Sequence, residues 1–219
     1  MRKSIPKSYE YIEKLSPGET AKMAEARKNS ENLGLAAISI SSVEAQIIKF
    51  HLSCIMAKKV VEIGTLTGLS ALHLLEVLPE DGCLFTLEKS VEHVEFAKKV
   101  LKDDLQKKRC RILVGDARET LNEISNEGPF DAVFIDGNKA AYLDYYVWAV
   151  KNVRVQGLIF CDNVFLAGAV WGQTTTQNFN PKQIEAVQKM NQIGFSDDRL
   201  QSMIIPTEEG LLISRKIRN

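Results

Sequence analysis

The chain carries no net charge: 28 Lys plus Arg balance 28 Asp plus Glu over 219 residues. No global field therefore draws it to nucleic acid or to an anionic membrane surface. Cysteines are few. Cys54, Cys83, Cys110 and Cys161 stand apart, with no C-x-x-C pair and no histidine at zinc spacing, which excludes a zinc ribbon and a disulfide framework. Cys83 and Cys161, at or in apolar strand patterns, are expected to be core thiols of a reducing compartment. No apolar run is longer than a strand, and the stretch Met1-Arg2-Lys3-Ser4-Ile5-Pro6 has no apolar signal core. The expectation is a cytoplasmic protein with neither a membrane span nor a secretory signal. His51, His73 and His93 fall within helical patterns and have no Ser or Cys nucleophile motif beside them, which argues against histidine catalysis. The chain also lacks G-x-G-x-x-G and G-x-x-x-x-G-K-[ST], so its glycines serve neither a dinucleotide pyrophosphate nor a triphosphate.

What is present is a regular alternation. Helical periodicity covers residues 8–15, 21–29 and 43–56, and strand-sized apolar runs and helices then take turns. Strands are expected at 59–63, 84–87, 111–114, 132–135 and 158–161, with helices at 69–78, 91–105, 119–124 and 140–150 between them. A helix opened by Pro181 runs to about Gln192, and two last strands, 200–205 and 211–215, flank a short polar turn. This rhythm defines an α/β fold, a doubly wound, mostly parallel seven-stranded sheet with helices on both faces. Strands joined as closely as the last two must pair antiparallel. The length suits one domain, residues 1–57 giving N-terminal helices and a lid and 58–219 the core.

The most informative segment is Val60-Val61-Glu62-Ile63-Gly64-Thr65-Leu66-Thr67-Gly68-Leu69-Ser70, a buried strand that breaks into a glycine turn and opens a helix. Such a turn presents free backbone N–H groups to a ligand. With no lysine and no third glycine, a ligand carrying an amine and a carboxylate fits best. Glu62 can face the amine, and Ser70 with the helix N-terminus the carboxylate, as the methionine end of S-adenosylmethionine requires. A purely structural tight turn is the competing reading.

In doubly wound sheets ligands lie beyond the carboxyl ends of the strands. Glu88 ends the second strand, 24 residues after Gly64, near the spacing of an acid that takes a ribose diol. Gly115-Asp116-Ala117 follows the third, placed to flank an adenine ring. Either acid alone also reads as a helix cap. Asp136 ends the fourth strand and Asp162-Asn163 the fifth. If those strands are neighbours, two carboxylates at about 5 Å and an effective dielectric of about 20 repel by roughly 3 kcal/mol. A divalent cation, with Asn163 adding a neutral oxygen, would compensate. A salt bridge to Lys139 would also do so.

Four segments in order, Val60 to Ala71, Phe134-Ile135-Asp136-Gly137-Asn138-Lys139, Cys161-Asp162-Asn163-Val164 and Ile205 to Lys216, resemble the cation-dependent class I O-methyltransferases, the family of catechol and caffeoyl-coenzyme A O-methyltransferases and their small bacterial relatives. The resemblance runs from about Leu35 to Lys216. It implies a Rossmann-like methyltransferase fold and S-adenosyl-L-methionine as cofactor, with Glu62, Gly64, Thr65, Gly68 and Ser70 around the methionine. It further implies Glu88 on the ribose, Asp116 and Ala117 at the adenine, and Ile38 in the segment closing over the cofactor. Asp136, Asp162 and Asn163 match the ligands of a divalent cation, Mg²⁺ foremost, then Mn²⁺ or Ca²⁺. Asp136 also falls beside the cofactor, and Lys139 matches the lysine proposed as general base. Family members usually read Asp-Ala-Asp-Lys at 136–139, often Met at Ile38 and usually Pro at Ser42. A homodimer is implied by resemblance alone.

The expected activity is methyl transfer to a hydroxyl of a catechol-like small molecule, with the segment 164–180, including Trp171 and Phe179, at the acceptor mouth or as a plain surface loop. Two alternatives are a tRNA wobble hydroxyuridine O-methyltransferase, for which Lys107, Lys108, Arg109 and Arg111 would offer phosphate contacts, and, more remotely, a nicotinamide-dependent oxidoreductase. A screen of catechols, flavonoids and hydroxylated tRNA separates the first two.

Overall fold

The computed structural model describes residues 7–175 and 177–219; the N-terminal stretch read above for a signal lies outside them. Seven strands form one sheet in the order β3-β2-β1-β4-β5-β7-β6. These are β1 (Lys59–Ile63), β2 (Cys83–Glu88), β3 (Cys110–Val114), β4 (Phe130–Ile135), β5 (Val153–Cys161), β6 (Leu200–Ile205) and β7 (Leu211–Lys216). The first five run parallel, and β7 pairs antiparallel with both β5 and β6.

Because strand side chains alternate between faces, each apolar run serves two cores. Val60, Ala132, Phe134, Leu158 and Phe160 face α2 (Ala21–Asn32), α3 (Ser42–Cys54), α4 (Leu69–Val77) and α5 (Val91–Val100). Val61, Ile63, Val133, Ile135 and Ile159 face α7 (Ala117–Ile124), α8 (Tyr142–Asn152) and α9 (Pro181–Ser196). Of two further helices, α1 (Lys7–Leu15) has no buried residue, and α6 (Lys102–Gln106) packs Leu105 against the first of these cores. Full burial of such a side chain contributes about 1.5–3 kcal/mol, so the two faces together hold the sheet flat against its helices.

Local signals explain most element ends. Ser41 and Glu44 form a capping box that starts α3, and Asn180 with Gln183 forms another ahead of Pro181 in α9. Ser42, where the family usually has proline, is the first residue of α3, the position proline favours; its hydroxyl instead ties α1, donating to Glu13 at 2.7 Å. Several ends shift by up to four residues from the sequence reading, α9 running on to Ser196, and two elements differ more. The expected helix 91–105 breaks at Leu101, whose ψ of 6° ends α5 before α6 begins. β5 starts five residues early, at Val153, with a shift in its pairing to β4. Gly157 permits this, since a Cβ there would stand 2.4 Å from Val153 and 2.6 Å from the Asp131 carbonyl. Of the cysteines, Cys161 and Cys110 are buried, Cys83 is only half-buried, Cys54 is exposed, and all are free. Among the described residues no helix is long and apolar enough to cross a membrane.

The C-terminal hairpin is tied to α8 by buried hydroxyls. The Tyr146 hydroxyl meets Ser214 Oγ at 2.6 Å, and Ser202 donates to the same oxygen at 2.7 Å. Ser214→Ala removes the hydroxyl that both Tyr146 and Ser202 bond, whereas Tyr146→Phe leaves Ser214 paired with Ser202. Urea unfolding should therefore show Ser214→Ala losing about 1–3 kcal/mol and Tyr146→Phe only about 0.5–1.5 kcal/mol; the reverse order would contradict this packing.

Candidate active site

The parallel hydrogen-bond ladder continues one residue past each strand. Gly115 N–H donates to Glu88 O, Gly64 N–H to Leu87 O and Asp136 N–H to Ile63 O, each at 2.9 Å, and Asp162 N–H donates to Ile135 O at 3.0 Å. Gly64, Asp136 and Asp162 thus stand side by side along the carboxyl edge, with Gly115 on the far side of β2. A cavity of about 320 Å³ opens over it, lined from the glycine turn by Gly64, Thr65, Leu66 and Ser70, and elsewhere by Ile38, Glu88, Asp116, Ala117, Asp136, Lys139 and Asn163.

Two glycines shape the turn. Gly64 has φ 104°, and a Cβ there would fall 2.2 Å from the Asp136 carbonyl oxygen, so only glycine lets β1 and β4 close on each other. Gly68, φ 92°, precedes α4, and its Cβ would press on Val100 of α5 at 3.0 Å; it serves helix packing behind the cavity. Glu62 also lies behind the lining, wholly buried. Its Oε2 accepts from the Thr86 hydroxyl, while Oε1 has no hydrogen-bond partner among the described residues. Burial pushes the Glu62 carboxyl up to about 7, with Asp136 and Glu88 adding to the rise and the Ser70 and Thr86 hydroxyls opposing it. A buried, half-paired carboxylate under the turn fits a ligand that brings an ammonium group.

On the other flank, Glu88 accepts from Leu66 N–H and Ser90 N–H, both at 2.8 Å. That holds the carboxylate against the glycine turn and leaves lone pairs for hydroxyls of a ligand. His93 lines the same cavity with Nδ1 3.4 Å from Glu88. The sequence reading weighed His93 only as a catalytic histidine and not as a cavity residue; its place in the first turn of the helix after β2, the turn that faces the strand end, was the usable signal. Asp116 caps α7, accepting from Arg118 N–H at 3.0 Å, and the Arg118 guanidinium beside it holds its carboxyl well below the usual carboxylate range. The capping reading of Asp116 and its place in the cavity wall both hold. The 3₁₀ turn Ala36–Ile38 and Ser39 close the cavity from above, Ile38 being 58% exposed.

The carboxylate pair meets as neighbouring strands require. Asp162 is 2% exposed, and burial first, then the Glu44 and Asp136 carboxylates, pushes its carboxyl well above the ordinary range. Its Oδ1 accepts from Asn163 N–H at 2.7 Å. Lys139 Nζ donates to Asp136 Oδ1 at 2.8 Å, to Asn163 Oδ1 at 2.5 Å and to the Tyr142 hydroxyl. The ammonium bonds two of the three oxygens expected as ligands, which is the Lys139 salt bridge that the sequence also allowed. The donor set, two carboxylates and an amide oxygen, suits a hard divalent ion. Asn138 caps the turn Lys139–Ala141, the role an aspartate at that position would also fill.

Two expectations take a different form. Of the basic cluster, Arg109 is spent on Asp104 and the Leu75 and Leu78 carbonyls, and Arg111 pairs with Glu127 over the Phe85 ring. In the segment after Asn163, Trp171 is exposed but Phe179 packs against the α7–α9 core.

A glycine turn with an acid behind it, a second acid on the next strand and two carboxylates beyond, on a sheet closed by an antiparallel hairpin, defines a class I methyltransferase. The chain belongs to the O-methyltransferase family, whose profile matches residues 13–217, and it is an enzyme of that family. It is 32% identical over 169 residues to a catechol O-methyltransferase of Niastella koreensis, covering 76% of each chain. It is 26% identical to a caffeoyl-CoA O-methyltransferase of Stellaria longipes, covering 92% of this chain and 86% of the other. Among solved structures, cofactor-bound Rv0187 from MTB superposes with a TM-score of 0.87 at 26% identity over the whole of both chains. The SAM complex of the O-methyltransferase TomG from Streptomyces achromogenes gives 0.86 at 23% identity, over 97% of this chain and 96% of that one. The oxidoreductase reading ends there.

Glu62 sets a pH dependence. Its folded value near 7 lies above the ordinary 4.5, so the folded chain holds a proton that the unfolded chain releases. Stability is lost as pH rises from about 4.5 to about 7, by up to roughly 3 kcal/mol. Relative to wild type, Glu62→Gln should gain unfolding free energy across that window in ligand-free protein. Parallel pH profiles for the two proteins would contradict the assignment.

Proposed function

We propose that this enzyme transfers the methyl group of S-adenosylmethionine to a hydroxyl of a catechol-like small molecule, with a divalent cation held by Asp136, Asp162 and Asn163. The observation that carries the reading is the convergence of Asp136 Oδ1 and Asn163 Oδ1 on one cationic atom, in the cavity that also holds Ser70 and Glu88. The cofactor supplies an electrophilic methyl on a sulfonium. A bound cation supplies acidification and orientation of the acceptor hydroxyl.

The chain's own residues do the rest. The turn from Gly64 to Ser70 and buried Glu62 hold the amino-acid end of the cofactor, Glu88 takes its ribose, and Asp116 with Ala117 walls the adenine. Ile38 covers it and excludes water. Transfer would form an O–CH₃ bond as the S–CH₃ bond breaks, with S-adenosylhomocysteine as the leaving group, and the hydroxyl proton would go to a base. Lys139, once its Nζ is released from Asp136, is the residue positioned to take it. Holding oxygen and carbon at near-attack distance accounts for much of the acceleration. A homodimer and a cytoplasmic site of action come to the reading from the family. A tRNA acceptor has less support, since Arg109 and Arg111 are engaged within the protein.

Asp162→Ala should abolish turnover of 3,4-dihydroxybenzoate, followed as S-adenosylhomocysteine release with Mg²⁺, while calorimetry finds cofactor affinity within a few-fold of wild type. Asp136→Ala, beside both sites, should lose both. Full wild-type activity in excess chelator would overturn the metal reading and leave Asp136, Asp162 and Lys139 as a structural ion cluster.

A further inference from the structure

We propose that Glu209 is a positioning residue for the acceptor side of the site, holding the loop that begins at Asn163; the proposal rests on the reading of Asn163 as a metal ligand. That loop leaves the sheet in conformations that side chains avoid. Asn163, Leu166 and Ala167 have φ of 55°, 47° and 52°, followed by Gly168 at 96°. Non-glycine residues stay in this region only when their surroundings hold them there.

The turn between β6 and β7 does the holding. Val164 N–H donates to Gly210 O at 3.1 Å and Phe165 N–H to Glu209 O at 2.9 Å. The third contact is the only one of these made by a side chain, Ala167 N–H donating to Glu209 Oε2 at 3.1 Å. Glu209 is 9% exposed, so this charge-assisted bond is poorly screened. Gly210, φ 76°, lies so close that a Cβ would stand 2.7 Å from the Phe165 ring. Phe165 in turn meets Trp171 edge to face, centroids 5.3 Å apart. Asn191 and Gln188 of α9 hold the Val164 and Val170 carbonyls at 3.0 and 2.8 Å, and the Glu209 carboxylate fixes the strained residue between them, in a loop with a proposed metal ligand at its start and an exposed aromatic at its end. The two backbone bonds to the hairpin hold only its first residues; at Ala167 the loop closes on itself through Gly168 N–H on Phe165 O at 2.9 Å, and Glu209 is the group that ties this turn to the hairpin.

The test compares Glu209→Ala with Glu209→Gln, whose amide oxygen can still accept from Ala167 N–H. In Glu209→Ala, Mn²⁺ affinity measured by calorimetry should fall about tenfold, and KM for 3,4-dihydroxybenzoate should rise with it. S-adenosylhomocysteine affinity should stay within twofold. In indole ¹⁵N–¹H spectra the Trp171 signal should shift or broaden while that of Trp148, bonded to Ser125, stays in place. Glu209→Gln should restore all of these to within about threefold of wild type. If Glu209→Ala does not fold, Glu209→Asp, which keeps the charge and withdraws the oxygen, carries the same expectation. Unchanged Mn²⁺ affinity and an unmoved Trp171 signal in a folded variant, or a lower melting temperature alone, would overturn the proposal. Wild-type protein that binds no Mn²⁺ would overturn the metal reading instead, and the Trp171 signal would then decide the role of Glu209 by itself.

Discussion

The extension of the parallel ladder beyond the strands fixes everything at the site. Once β1 is flanked by β2 and β4, and β4 by β5, the bonds from Gly64 to Leu87, Asp136 to Ile63 and Asp162 to Ile135 leave no freedom in where the exit residues stand. Neighbouring strands are about 4.8 Å apart, so two carboxylates on adjacent exits must share one small region. Gly64 is part of the same constraint: the contact that would place its Cβ 2.2 Å from the Asp136 carbonyl is the contact that brings the cofactor turn against the carboxylate pair. The turn and the acidic pair are one construction.

That construction concentrates negative charge in a place with little water. Glu62, Glu88, Asp136 and Asp162 crowd one edge, and Glu44 approaches from the lid helix. The protein answers with hydroxyls at Glu62, backbone N–H groups at Glu88 and the Lys139 ammonium at Asp136. Asp162 and Glu62 remain incompletely compensated, which is what a site that receives two cationic ligands should look like. The neutral overall charge of the chain conceals this local field.

Much of this was legible in the sequence because it follows from period and position. Apolar runs gave the strands, the sheet rule placed function at their carboxyl ends, and the polar residue after each run was then Glu88, Asp116, Asp136 or Asp162. What escaped reading depends on contacts between residues far apart in the chain. Arg109 and Arg111 looked like a free basic cluster, yet they reach Leu75 and Glu127. Glu209 lies 42 residues from Ala167, and no local pattern joins them. The early start of β5 turned on Gly157 meeting Asp131 across the sheet, which a strand-length apolar count cannot detect.

The central claim is that the oxygens of Asp136, Asp162 and Asn163 make one cation site at the edge of the cofactor cavity. Anomalous diffraction from crystals grown with Mn²⁺ and S-adenosylhomocysteine tests it directly. The account predicts a single strong peak bonded to those oxygens, with Lys139 Nζ moved off Asp136. No peak there, with the ammonium still paired to Asp136 and Asn163, would contradict it.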